Sequence, residues 1–83
     1  MAAFERSETA TKIIDIVAQK LNRDKDSVQE TMTFQELNTD SLDMVEIIMR
    51  IEEVFGIEVN DDDAEKLLTL SQTIDYVHAL RTK

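Results

Sequence analysis

The chain contains no cysteine, no proline and a single glycine, Gly56. Without cysteine there is no disulfide, no thiolate metal site and no thiol nucleophile, and the redox compartment stays open. One glycine cannot build a glycine-rich phosphate loop. No apolar run is long enough to span a bilayer. The first residues, Met1-Ala2-Ala3-Phe4-Glu5-Arg6, lack the apolar core of a signal peptide. Basic residues are scarce: nine Lys and Arg face eighteen Asp and Glu, for a formal charge of −9. Such a chain repels nucleic acid and anionic membrane and attracts basic partners. Its 83 residues make one small domain, 1–83, with little room for an enzyme cleft carrying its own lid.

The charge that is present is concentrated. Residues 36–66 hold eleven acids and two bases, Arg50 and Lys66, which accounts for the whole net charge. The periodic stretches around this block are helical. Ala10, Ile13, Ile14, Val17, Ala18 and Leu21 share one helical face, predicting a first helix over 8–21 with Ser7 as its N-cap. Residues 22–39 read as a long connection anchored on the core by Val28, Met32, Phe34 and Leu37. Asp40 is a strong N-cap for a second helix that starts at Ser41 and ends at Phe55, before Gly56. A short third helix over 61–67 is expected after Asn60 as its cap. A fourth follows the capping box Thr69-Leu70-Ser71-Gln72, with Leu70, Ile74, Val77 and Leu80 inward. The fold class is all-α: a small four-helix bundle with a long loop between helices one and two and a short third helix.

The second helix has two apolar faces. Met44, Ile47, Ile48, Ile51, Val54 and Phe55 form a full core stripe. Leu42, Val45 and Met49 fall on the opposite side with Glu46 and Glu53, flanked by Asp43 and Glu52. Three apolar residues ringed by carboxylates suggest a docking surface for basic partners. The alternative is that the loop after Asn22 folds over them.

Enzyme chemistry finds few groups. His78 is the only histidine, has no nucleophile near it in sequence and reads as a surface residue. Asp61-Asp62-Asp63-Ala64-Glu65 does not match the Ca²⁺-loop pattern, so neither a metal site nor a catalytic residue is assigned. One hydroxyl stands out. Ser41 follows a capping aspartate at a helix start, where backbone amides favour a phosphate oxygen. An ordinary polar helix-start residue would look the same.

Asp40-Ser41-Leu42-Asp43, followed by Val45-Glu46, resembles the Asp-Ser-Leu attachment motif of acyl carrier proteins. The match runs on through Ile47-Ile48-Met49, Glu52-Glu53-Val54-Phe55, Glu58-Val59, Asp61-Asp62-Asp63-Ala64-Glu65-Lys66 and Ile74-Asp75-Tyr76. It covers the second half of the chain closely and the first helix only by pattern. The resemblance implies a carrier, not an enzyme, of the fatty-acid-synthesis type. A Mg²⁺-dependent holo-carrier synthase, a phosphopantetheinyl transferase, would attach 4′-phosphopantetheine from coenzyme A to Ser41, with Asp40 as motif partner. The arm would supply the thiol that this chain lacks and carry acyl chains as thioesters. Fatty-acid-synthesis enzymes with basic docking patches would read Leu42, Asp43, Val45, Glu46, Met49, Glu52 and Glu53, helped by Asp61 and Glu65. The acyl chain would enter a pocket of Phe34, Ile51, Val59, Ala64 and Leu67, although ordinary core packing explains those residues equally well.

The motif departs from the family at three places. Asn38-Thr39 stands where Gly and a small residue are usual, and Asn tolerates the same left-handed turn. Asn60 replaces a common Pro and should still cap the third helix. Arg50 occupies a position that is often small and neutral, and is expected to pair with Glu46 at i, i+4. The resemblance implies a cytoplasmic monomer that binds no nucleic acid and makes no integral membrane contact. Two other readings stay open: a carrier for a polyketide, peptidyl or D-alanyl pathway, or an unmodified acidic interaction module.

Overall fold

The first helix, α1, spans Arg6–Leu21 in a computed structural model that describes residues 5–82. It begins ahead of the expected start, so Ser7 lies within its first turn and is not the cap. Glu5 is the N-cap, without a side-chain capping bond. The early start has a tertiary cause: Arg6 Nε donates to Asp75 Oδ1 at 2.6 Å, and its Nη1 lies 2.9 Å from Glu30 Oε1. Those two ion pairs tie the first turn to the last helix and to the long connection. At the other end Asn22 adopts a left-handed φ of 57°, and the Arg23 N–H closes on the Ala18 carbonyl at 2.9 Å. Met1 to Phe4, read above as lacking a signal-peptide core, lie outside the described residues, as does Lys83.

Three further helices follow: α2 over Ser41–Phe55, α3 over Asp61–Ala64 and α4 over Leu70–Arg81. α1 packs against both α4 and α2. The core is built from Ala10, Ile13, Ile16, Val17 and Ala18 of α1, Ile47 and Ile51 of α2, and Leu70, Ile74 and Val77 of α4. Leu80, expected in the inner stripe, is half-buried. Val54, also expected in the core, is 40% exposed at the edge of its helix. Among the described residues the architecture is all-helical, with one isolated β-bridge, Thr33 to Thr69.

That bridge explains the long connection. After a 3₁₀ turn over Lys25–Ser27, the backbone is pinned to the start of α4. The leading amides of a helix have no partner within it. Here Leu70 N–H donates to the Met32 carbonyl at 3.1 Å and Ser71 N–H to the Glu30 carbonyl at 2.8 Å, while Phe34 N–H returns a bond to Leu68 at 3.0 Å. Val28, Phe34 and Leu37 are buried beneath it. The loop therefore follows the core, as its apolar anchors predict, and leaves the outer face of α2 uncovered.

α3 is a single turn that ends at Ala64, shorter than expected. Asn60 is its N-cap residue but makes no side-chain capping bond; its amide nitrogen lies 3.5 Å from Asp63 Oδ2 instead. What holds α3 is Tyr76 of α4, whose hydroxyl donates to Asp63 Oδ2 at 2.8 Å. His78 is not a free surface group: it is half-buried, with Nδ1 3.0 Å from the Oγ1 of the fully buried Thr9. Thr9 also accepts from Arg81 Nη1 at 2.9 Å, and the Arg81 guanidinium stacks 4.7 Å from the Phe55 ring centroid.

Candidate functional site

The turn that delivers Ser41 is set by three side chains. Thr33 Oγ1 accepts from Glu36 N–H at 3.0 Å, and Glu36 Oε1 accepts from Thr33 N–H at 2.8 Å. Asn38 then takes a left-handed φ of 61°, the conformation for which Asn can stand in for Gly. Thr39 Oγ1 donates to the Phe34 carbonyl at 2.6 Å and stops the turn. Asp40 opens α2 with a reciprocal capping box: Asp43 N–H donates to Asp40 Oδ1 at 2.8 Å, and Asp40 N–H to Asp43 Oδ2 at 3.3 Å.

Ser41 is thus fixed by its neighbours while its own side chain stays exposed, with no side-chain hydrogen bond among the described residues. It sits on the rim of an open cleft of about 850 Å³ between α2, α3 and the 33–39 turn. Phe34, Val59, Ala64 and Leu67, four of the five residues named above for an acyl pocket, line this cleft. Ile51 does not: it is completely buried in the core against α1. The cleft's remaining apolar wall comes from Met44, Ile48, Leu68, Val45 and Met49. Helical spacing puts the first two in the core stripe, but that stripe splits. Ile47 and Ile51 point at the core, and Met44 and Ile48 turn half-buried into the cleft. Leu68, 62% exposed, has no helical periodicity to betray it, because it lies between α3 and α4.

On the outer side of α2, Leu42, Val45 and Met49 are 65%, 54% and 57% exposed, so the second apolar stripe does face solvent. The carboxylates around it are partly engaged. Glu52 is half-buried and accepts from Val59 N–H at 2.9 Å. Glu46 does not pair with Arg50; it is bound by Lys20 of α1, which also lies 4.0 Å from Asp43. The hydrogen bond to Glu46 leads in holding the Lys20 ammonium above its ordinary pKa. Arg50 instead approaches Glu53 at 3.8 Å. Asp61 and Glu65 are exposed on the far rim of the cleft.

The family model described as a phosphopantetheine attachment site matches residues 11–77. The chain belongs to the acyl carrier protein family. Its resemblance to an acyl carrier protein of Rubrobacter xylanophilus is 45% identity over 75 residues, covering 89% of this chain and 93% of the relative. The crystal structure of the acyl carrier protein from Thermotoga maritima superposes with a TM-score of 0.77 at 30% identity, covering 93% of this chain and 91% of that one. A solution structure of a putative acyl carrier protein from Anaplasma phagocytophilum gives 0.83 at 28% identity, with 96% of each chain covered. An acyl carrier protein is a carrier and not a catalyst, and the group it carries is 4′-phosphopantetheine.

The residues at the start of α2 fit that group. An exposed hydroxyl without a competing partner can be esterified without breaking any side-chain hydrogen bond. Asp43 N–H and Met44 N–H are already taken, by the Asp40 carboxylate and, at 3.0 Å, the Asp40 carbonyl. The Ser41 and Leu42 amides have no hydrogen-bond partner among the described residues, so they are available to a phosphodiester oxygen. Among the described residues no helix is long and apolar enough to cross a membrane.

Proposed function

We propose that the chain carries acyl groups on a 4′-phosphopantetheine arm attached to Ser41, with Asp40 holding the helix start, and presents them to the enzymes of fatty-acid synthesis in the cytoplasm. The observation that carries the reading is the position of Ser41: exposed, at the first position of α2, between the apolar cleft and the acidic face. When bound, the arm supplies a thiol to a chain with no cysteine. Everything else falls to the chain's own residues. The Asp40–Asp43 box fixes where the serine points. Phe34, Val59, Ala64 and Leu67, with Met44 and Ile48, offer an apolar lining to the acyl chain.

The partner surface is the outer side of α2. Leu42, Val45 and Met49 give it contact area, and Asp43, Glu46, Glu52, Glu53, Asp61 and Glu65 give it a negative field. That field favours enzymes with basic docking patches, first among them a holo-carrier synthase. The whole of residues 1–83 acts as one carrier domain, working as a monomer.

Intact-mass measurement after incubation with coenzyme A and a phosphopantetheinyl transferase tests the reading. Wild type should gain one arm and Ser41→Ala none. An unchanged wild-type mass refutes the assignment, and a modified Ser41→Ala chain moves it to another residue. Loading by acyltransferases of fatty-acid synthesis, compared with those of polyketide, peptidyl or D-alanyl pathways, then selects the pathway.

A further inference from the structure

The carboxylates on the α2 face do not wait unpaired for a partner. Glu46, near the centre of that face, is bound by Lys20, a residue of α1 that is 26 positions distant in sequence. Lys20 reaches it across a groove of about 440 Å³ between the two helices. The floor of the groove is apolar, made by Ile16 and Ile47, and Lys20, Glu46, Met49, Arg50 and Glu53 stand around it. The Lys20 side chain is 33% exposed and the Glu46 side chain 46%. An ion pair this open is weak and exchangeable. Lys20 also stands 4.0 Å from Asp43, so one ammonium offsets charge at two positions of the face.

We propose that Lys20 is an internal competitor for the docking face: it occupies the place on Glu46 that a Lys or Arg side chain of a basic partner enzyme takes on binding. The inference rests on the reading of the α2 face given under Proposed function and adds to it a residue of α1, outside the attachment motif itself. Long-range attraction depends on the net charge and is little changed by one local pair. The contact energy is changed, because the incoming cation must displace one already there. Once Lys20 swings out, the apolar floor of the groove is open to the aliphatic stem of the partner's side chain. Lys20 therefore tempers affinity and favours partners whose basic group reaches this groove. Arg50 does not act in the same way, because its contact with Glu53 is longer, at 3.8 Å, and both side chains are more exposed.

The experiment measures kcat/KM for modification of the full chain by a holo-carrier synthase and coenzyme A, read by intact mass at low salt. Lys20→Met should raise kcat/KM about two- to fivefold through KM, the range set by exposed ion pairs. Lys25→Met removes the same charge from the 3₁₀ turn, outside the groove, and should give a smaller change. The gain from Lys20→Met should vanish in a Glu46→Gln background. Lys20→Gln, which keeps a hydrogen-bond donor, should fall between wild type and Lys20→Met. Melting curves of each variant check that α1 and α2 stay docked. An unchanged or lower kcat/KM in a folded Lys20→Met chain overturns the inference while leaving the carrier reading intact. So does an equal gain from Lys25→Met, or one that survives in Glu46→Gln. A wild-type chain that accepts no arm overturns the carrier reading and this inference with it.

Discussion

The Tyr76 hydroxyl donates to Asp63 Oδ2 at 2.8 Å, so the last helix holds the shortest one in place. α3 is one turn long and has no side-chain cap, and therefore depends on this bond. Tyr76→Phe should lower stability by about 1 kcal/mol. It should also speed amide exchange in 61–64 more than in α1, as hydrogen-exchange mass spectrometry would show.

The same hydroxyl sets an alkaline limit. Burial first, and then the bond to Asp63, hold its pKa above the ordinary 10.0. The folded chain binds this proton more tightly than the unfolded chain does. Its contribution is complete below the ordinary value and is lost as pH rises through the raised one. Melting temperature should therefore fall as pH climbs above 10.0, and less steeply in Tyr76→Phe.

Ile47 and Ile51 are completely buried between α2 and α1. Replacing either by Ala should cost about 2–5 kcal/mol in urea unfolding. Ile48→Ala, in the open cleft, should cost clearly less. Equal losses at all three positions would contradict the split stripe.

Asp40 and Ser41 are neighbours with different duties. Asp40→Ala removes a cap that serves the start of α2 and should cost about 1 kcal/mol. Ser41→Ala removes a hydroxyl with no side-chain hydrogen bond among the described residues and should leave the melting temperature unchanged.

The charge of residues 36–66 gives the last expectation. Eleven acids face two bases within the stretch, and Lys20 is the cation of α1 that reaches it through an ion pair. Added salt screens the remaining repulsion over roughly 8–10 Å at moderate ionic strength. Melting temperature should rise with NaCl, and Glu53→Lys should flatten that rise.

What could be read from the sequence was local. α2 is bounded by Asp40 and Gly56, and α4 by the Thr69–Gln72 box, because caps act within a few residues. The exposure of Leu42, Val45 and Met49 followed from helical spacing. The features that escaped depend on distant partners. α1 starts early because Arg6 meets Asp75 and Glu30. Glu46 takes Lys20 in preference to the nearby Arg50 because α1 lies alongside α2. Periodicity assigns Ile51 and Ile48 to one stripe, yet Ile51 is buried against α1 and Ile48 lines the cleft, because α2 packs on the core along one side only. Leu68 lies between helices and has no pattern at all.

Arg81 stacks on Phe55 and reaches Glu8 at 3.0 Å, so the first turn of α1 and the last of α4 meet beside the closing residue of α2. Ser41 opens that same helix, about 20 Å away at the rise of an α-helix. The first turn of α1 and the last of α4 consequently meet beside the end of α2 that is opposite the loading point. A purification tag, a fluorescent label or an adjoining polypeptide fused there would trail behind the molecule and leave its working end unobstructed.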